Sequence, residues 1–316
     1  LTGLVTSVLM TGFASAGGGE PEKVYLMFGF IKLTDKARLA IAYEKGFFED
    51  EGLYVTLEAQ ANWKVLLDRV IVGELDGAHM LAGQPWGARI GFGTQSHIVT
   101  AFSMDLNGNA ITVSNKVWGE MKKHIPHENG KPVHPIKADA LKPVIAKYKA
   151  EGKPFKMGMV FPVSTHNYEL RYWLAAGGIH PGYYAPKKGD ISGTINADAL
   201  LSVTPPPQMP STMEAGTIYG YCVGEPWNSV GVARGAGRII TPKSSIWASS
   251  PEKVLPVRED WAGEKAQTLA ALLRALYRSS EWGGTPPNPS APAPLVGSPL
   301  FLGPPAQSRP PALARP

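Results

Sequence analysis

Apolar and polar positions alternate through the first hundred residues in a repeating pattern. Residues 24–30 are an apolar run of strand length, and Thr34 or Asp35 behind them can cap a helix over residues 37–43 that ends at Gly46. Residues 54–59 read as the next strand. Asn62 can cap a helix whose apolar face is Trp63, Leu66, Leu67 and Val70. Residues 77–81 then read as strand, 84–90 as a short helix and 97–104 as strand again. Strands alternating with helices predict a parallel sheet, with ligands bound where strand C-termini open into loops. Thr34–Asp35, Asn62–Trp63, His79 and Thr165–His166 all fall at or near such ends, so the pattern predicts a cleft.

The stretch from Lys156 to Gly178 has the same design. It is a short apolar strand, a polar turn, and a helix that Ser164 or Thr165 can cap and Gly177–Gly178 can stop. A helix that opens with Thr165, His166 and Asn167 after a buried strand offers free backbone N–H groups, a positive dipole end and three polar side chains. That combination predicts a small-anion pocket.

Composition narrows the class. A chain of 316 residues with 44% hydrophobic and 18% charged content is a globular protein large enough for two lobes. The net charge of +5 is carried by scattered lysines and arginines without a basic run, so nucleic acid is not indicated. An apolar stretch over residues 4–10, followed by Ala14-Ser15-Ala16, reads as the remainder of an export signal over residues 1–16. Cys222 is the only cysteine and reads as a buried small hydrophobe, which excludes a disulfide framework. Past Trp282, residues 283–316 are mostly Pro, Ala, Gly, Ser and Leu, read here as a disordered tail or the product of a reading-frame slip. His124, His127 and His134 share a polar loop without a cysteine or paired carboxylate to complete a metal site. His79 is expected in the core near the cleft. Trp118, Trp173, Trp227 and Trp261 read as packing residues. No phosphate loop, nucleophile elbow or zinc-protease helix is present, so no catalytic role is assigned.

Several motifs together carry a resemblance. They are Gly29-Phe-Ile-Lys-Leu-Thr-Asp35, Glu44-Lys-Gly-Phe-Phe48, Asp76-Gly-Ala-His79, Asn107-Gly-Asn-Ala-Ile111, Thr165-His-Asn167, Thr204-Pro-Pro-Pro-Gln-Met209 and Gly224-Glu-Pro-Trp-Asn228. From Lys23 to about Trp282 the chain resembles the nitrate/bicarbonate-binding proteins of ABC importers in the nitrate/sulfonate/taurine group. The resemblance implies an α/β protein of the two-lobe periplasmic-binding-protein type (type II), each lobe a mainly parallel sheet flanked by helices. Lobe one would hold residues 23–107 and 221–282, and lobe two residues 108–220. It further implies a monomeric periplasmic receptor that closes on nitrate, or nitrite, and delivers it to a membrane permease driven by an ATPase, without a cofactor.

Carried over by motif, the ligand contacts are Trp63, Asn109, Thr165, His166 and the turn containing Pro207 and Gln208. Nitrate only accepts hydrogen bonds, and these residues supply donors. Bicarbonate carries its own O–H and needs an acceptor. Glu225 is the candidate, alone or with calcium, unless it serves only as a local cap or ion-pair partner. Nitrate has four heavy atoms, and at about 1.5 kcal/mol per atom its affinity is bounded near a Kd of tens of micromolar unless charge-assisted bonds in a closed cleft tighten it.

Three positions depart from the implied pattern. Ala248 follows Trp247 where relatives tend to have a lysine, Arg38 replaces a proline, and Trp86 replaces a smaller residue. Arg38 could restore the missing charge or simply lie on an exposed helix face. Two other classes stay open: a cytoplasmic nitrate sensor of the same fold that restrains an RNA-binding antiterminator, and an enzyme like the thiamine-pyrimidine synthases. The latter need a cysteine-rich motif that a lone Cys222 cannot supply.

Overall fold

Two sheets arise from the alternating strands. The computed structural model describes residues 19–185, 190–284, 297–298 and 301–302, so the expected export signal lies outside the described residues. The chain begins with β1 (Tyr25–Phe30), α1 (Ala37–Glu44), α2 (Phe47–Asp50), β2 (Tyr54–Ala59) and α3 (Trp63–Ile71). It continues through β3 (Gly77–Ala78), β4 (Met80–Leu81), α4 (Gly83–Arg89) and β5 (Ile98–Ser103). The second lobe starts with β6 (Asn109–Ser114), α5 (Asn115–Met121), the hairpin β7 (His127–Glu128) and β8 (Lys131–Pro132), α6 (Lys142–Ala150) and β9 (Phe155–Met159). Then come α7 (Thr165–Ala176), β10 (Tyr183–Ala185), β11 (Asp190–Ile195), β12 (Ala199–Val203) and α8 (Met209–Glu214). The lobe closes with β13 (Gly220–Gly224), α9 (Trp227–Ala233) and β14 (Gly237–Pro242). The chain returns to the first lobe as β15 (Lys253–Arg258), α10 (Glu259–Glu264) and α11 (Ala266–Gly284).

Sheet one runs β2-β1-β3-β15-β4, with β5 on β15; sheet two runs β12-β9-β13-β6-β14. The expected parallel pairs are present, β1 with β2 and β3, and β9 with β12 and β13. The sheets are nevertheless mixed rather than mainly parallel. β15 is antiparallel to β3, β4 and β5, and β6 is antiparallel to β13 and β14. These antiparallel strands flank the two chain crossings, where the backbone enters a sheet from the opposite side. Because β13 and β14 pair inside sheet two, the return to lobe one falls between β14 and β15, not at residue 221. Nor is the segment 283–316 entirely a structureless tail. Gly283 and Gly284 finish α11, and Phe301 is fully buried on Phe30, Tyr43 and Ala40.

Local capping follows the sequence in part. The side chain of Asn62 accepts from the Val65 N–H at 3.0 Å, and Ser164 accepts from the Asn167 N–H at 3.1 Å, fixing the first turns of α3 and α7. Gly178, at φ +70°, ends α7 in the left-handed conformation that a side chain would resist. Thr34 and Asp35 do not cap α1, because both are drawn elsewhere. The Thr34 hydroxyl donates to the Glu225 carbonyl at 3.0 Å, and Asp35 faces the cleft.

Leu66 and Leu67 pin α3 to its sheet, each stabilising by about 1.5–3 kcal/mol on burial. The apolar cluster they belong to runs from Leu33 and Trp63 in lobe one to Val160, Met209 and Tyr221 in lobe two, flooring the space between the sheets. Among the described residues no helix is long and apolar enough to cross a membrane.

Candidate functional site

The strand ends that face each other across the lobes carry a chain of buried polar groups. Asp35, from the turn after β1, takes His79 Nε2 at 2.6 Å and Lys253 Nζ at 2.7 Å on its two oxygens. Lys253 also reaches Glu252 Oε1 at 2.7 Å, and the face of Trp63 lies 5.5 Å from the same ammonium. His166 Nε2, at the start of α7, stands 3.0 Å from Glu252 Oε1. Asn109 Nδ2, at the start of β6, donates to Glu252 Oε2 at 3.2 Å, and the Thr165 hydroxyl donates to that oxygen too. Lys243, from the turn after β14, joins Glu252 and Glu169 Oε1, the latter at 3.1 Å. Trp63, His79, Asn109, His166, Glu169, Lys243, Glu252 and Lys253 are all buried.

Electrostatics sort these groups. Burial works against ionisation of Asp35, but Lys253 and then His79 outweigh it and hold the carboxyl at about 2. The same contest keeps Glu252 ionised: burial is overcome by His166 and the two lysines, and its carboxyl sits well below the usual range. Glu169 differs, because burial, helped by the charge on Glu252, pushes it up to about 7 despite Lys243. Burial also draws both imidazoles, His79 and His166, below their ordinary value although each faces a carboxylate. Burial raises the Cys222 thiol well above its usual range, so it is an inert neighbour 4.0 Å from Glu169.

Two donors of this cluster face no protein acceptor in line. Trp63 Nε1 is buried without a partner, whereas the indoles of Trp173, Trp227 and Trp261 donate to Ile136 O, Lys32 O and Asp76 Oδ1 at 2.8, 2.7 and 2.9 Å. His166 Nδ1 is likewise buried and unpartnered, and its Nε2 meets Glu252 out of line for a hydrogen bond. Asn109 Oδ1 is a buried acceptor in the same condition. Unpaired buried polar groups cost about 1–3 kcal/mol each, so three around one cluster in a stable fold point to a ligand that pairs with them. Beside Trp63 opens a cavity of about 500 Å3, walled by Asn62 and Phe92 from lobe one and by Phe161, Pro162 and Pro205 from lobe two.

Of the residues expected at the ligand, the structure thus brings Trp63, Asn109, Thr165 and His166 to one place. It does not bring Pro207, Gln208 or Glu225. Pro207 and Gln208 are exposed, and Pro205 is the member of that turn facing the cavity. Glu225 Oε2 accepts from the Ser229 N–H at 3.1 Å, capping α9, while its carbonyl accepts from the Thr34 N–H at 2.8 Å. Among the described residues no three His, Cys, Asp or Glu are grouped to hold a metal ion. Ala248 is exposed; the lysine that reaches the cluster is Lys243. Arg38 is half-buried and turned toward α11, donating to Ser280 Oγ at 2.8 Å, so it does not supply the site's charge. Trp86 is exposed and His124, His127 and His134 lie in solvent.

Sequence reasoning missed Glu169, Lys243, Glu252, Lys253 and Gln84. The last is buried and donates to the Trp63 carbonyl at 2.9 Å, holding the first turn of α3. Glu169 had a readable signal, lying three residues after His166 on one helix face. Glu252–Lys253 had one too, as a charged pair opening an apolar strand.

Comparison with known proteins agrees with this architecture. The chain is 40% identical over 85% of its length to the nitrate import ATP-binding protein NrtC of Synechocystis sp. (strain PCC 6803), covering 37% of that protein. It is 38% identical over 84% of its length to the bicarbonate transport ATP-binding protein CmpC of the same organism, covering 36% of it. The chain therefore spans about a third of the length of these two relatives. The crystal structure of the periplasmic nitrate-binding protein NrtA from Synechocystis PCC 6803 superposes with a TM-score of 0.76 at 28% identity, over 90% of this chain and 68% of that one. This is the two-lobe architecture of periplasmic binding proteins (type II). The match to the NMT1-like family runs over residues 19–296, and the chain belongs to that family.

Proposed function

We propose that the chain is the solute-binding receptor of an ABC-type importer, which captures nitrate, with nitrite as a second ligand, between its lobes. It acts as a periplasmic monomer and hands the anion to a membrane permease driven by an ATPase. The observation that carries this reading is the pair of buried, unpartnered groups, Trp63 Nε1 from lobe one and His166 Nδ1 from lobe two. Nitrate accepts hydrogen bonds and donates none, so it pairs with the indole N–H of Trp63 and with an N–H at His166 Nδ1. Lys243 and Lys253 offset part of the local carboxylate charge. The similarity to NrtA, a nitrate-binding protein, supports the same ligand class.

A second reading, a bicarbonate receptor, is favoured by Asn109 Oδ1, a buried acceptor suited to the O–H that bicarbonate carries and nitrate lacks. The similarity to CmpC supports it. Calorimetric titration with nitrate, nitrite and bicarbonate, the last with and without calcium, separates the two. Saturable binding of nitrate that vanishes in His166→Ala supports the first reading, and binding of bicarbonate alone supports the second.

A further inference from the structure

The donors that sequence similarity assigns to the ligand already converge on a carboxylate of the protein itself. Asn109 Nδ2, the Thr165 hydroxyl and His166 Nε2 all address Glu252, together with Lys243 and Lys253. A carboxylate is planar, carries one negative charge and offers two acceptor oxygens, as one edge of nitrate or bicarbonate does. We propose that Glu252 is an internal ligand of the oxyanion pocket. It competes with the external anion for Asn109, Thr165 and His166, and thereby sets the affinity of the site. This inference rests on the oxyanion-receptor reading.

The charge balance around Glu252 points the same way. Two ammonium groups, Lys243 and Lys253, face three carboxylates, Asp35, Glu169 and Glu252. Lys253 keeps Asp35 as partner at 2.7 Å without Glu252, and Lys243 keeps Glu169 at 3.1 Å. Glu252 is shared by both lysines, at 2.5 Å from Lys243 and 2.7 Å from Lys253, which hold it ionised beside the donors, so its charge is the one an incoming anion must oppose. It also explains why one buried acid gathers four hydrogen-bond donors, from Asn109, Thr165, Lys243 and Lys253, with His166 Nε2 3.0 Å away. Glu252→Gln preserves shape, leaves each lysine with a carboxylate, and frees the donors.

Titration of the full chain with sodium nitrate tests the proposal, using wild type and Glu252→Gln, with far-ultraviolet circular dichroism confirming the fold of each. The expected result is a Kd at least about tenfold lower in the variant, the scale of removing one like charge from the neighbourhood of a bound anion. Wild type that binds nitrate while folded Glu252→Gln binds equally or more weakly overturns the inference and leaves the receptor reading standing. Two folded proteins that bind neither nitrate, nitrite nor bicarbonate overturn both. Infrared difference spectroscopy of wild type, nitrate-saturated minus free, decides the matter should the variant not fold. A shifted carboxylate stretch on nitrate addition supports release of Glu252 from its donors, and an unchanged carboxylate region overturns it.

Discussion

Trp63→Phe removes one hydrogen-bond donor and leaves an aromatic face in place. In the folded protein the Trp63 N–H has no acceptor, so the substitution breaks no hydrogen bond of the protein. The fold loses some packing from the smaller ring but is relieved of a buried unsatisfied donor worth about 1–3 kcal/mol, and these nearly cancel. Binding has no such compensation. A hydrogen bond to a charged acceptor contributes about 1.5–3 kcal/mol, so the nitrate Kd should rise roughly 10- to 150-fold. Calorimetry supplies the Kd, and thermal unfolding without nitrate supplies the stability, expected to stay within about 1 kcal/mol of wild type. Trp173→Phe is the contrasting control. It removes one of the two donors to the Ile136 carbonyl, the indole at 2.8 Å, leaving the Thr241 hydroxyl at 3.1 Å, and with the lost packing should destabilise the fold while leaving the Kd unchanged. A Kd unaltered by Trp63→Phe refutes the assignment of that N–H to the ligand.

Closure of the lobes should be equally sensitive at a position remote from the donors. A Cβ added to Gly83 in α4 would lie 1.9 Å from the Val163 carbonyl oxygen across the cleft, so Gly83→Ala should hold the lobes apart. It should weaken nitrate binding at least about tenfold and abolish ligand-induced compaction in small-angle scattering, since tight capture of so small an anion needs a closed cleft. Acidity should favour the anion. The Glu169 carboxyl, ordinarily 4.5, stands at about 7 in the fold, and an anion beside it and His166 favours the protonated form of both. Nitrate affinity should therefore rise about three- to tenfold from pH 8 to pH 6, and Glu169→Gln should flatten that profile. The same raised value makes Glu169's contribution to stability fully present below pH 4.5 and lost as pH rises through 7, which urea unfolding at pH 5 and 7.5 would record. Ser164→Ala removes the cap of α7 and should cost about 1 kcal/mol in the same unfolding assay. Gln208→Ala, on an exposed position, should alter neither binding nor stability.

The sequence disclosed most of what local chemistry controls. Asn62 and Ser164 announce their helices because a cap acts within three residues, and the strand–helix alternation announces the parallel pairs. Trp63, His79 and His166 were legible as cleft residues because they sit where strands or helices begin and end. The charged members carry only a faint signal. Lys243, Glu252 and Lys253 look like surface residues in composition, and only the meeting of two lobes buries them against one another. Asp35 shows how tertiary demand overrides local preference, since His79 and Lys253 claim the carboxylate that could have capped α1. The chain's return from lobe two is likewise set by tertiary pairing rather than by local pattern. The apolar strand β13 reads equally well in either sheet, and only its pairing with β6 and β9 decides. Phe301 was hidden by the prolines around it, which dominate composition but do not prevent one aromatic from packing on Phe30.

Isothermal calorimetry of the wild-type chain with nitrate, against sodium sulfate at matched ionic strength, addresses the central claim directly. The account predicts saturable one-to-one binding of nitrate, with no comparable heat from the larger dianion. A folded protein that gives no saturable heat with nitrate, nitrite or bicarbonate would contradict it.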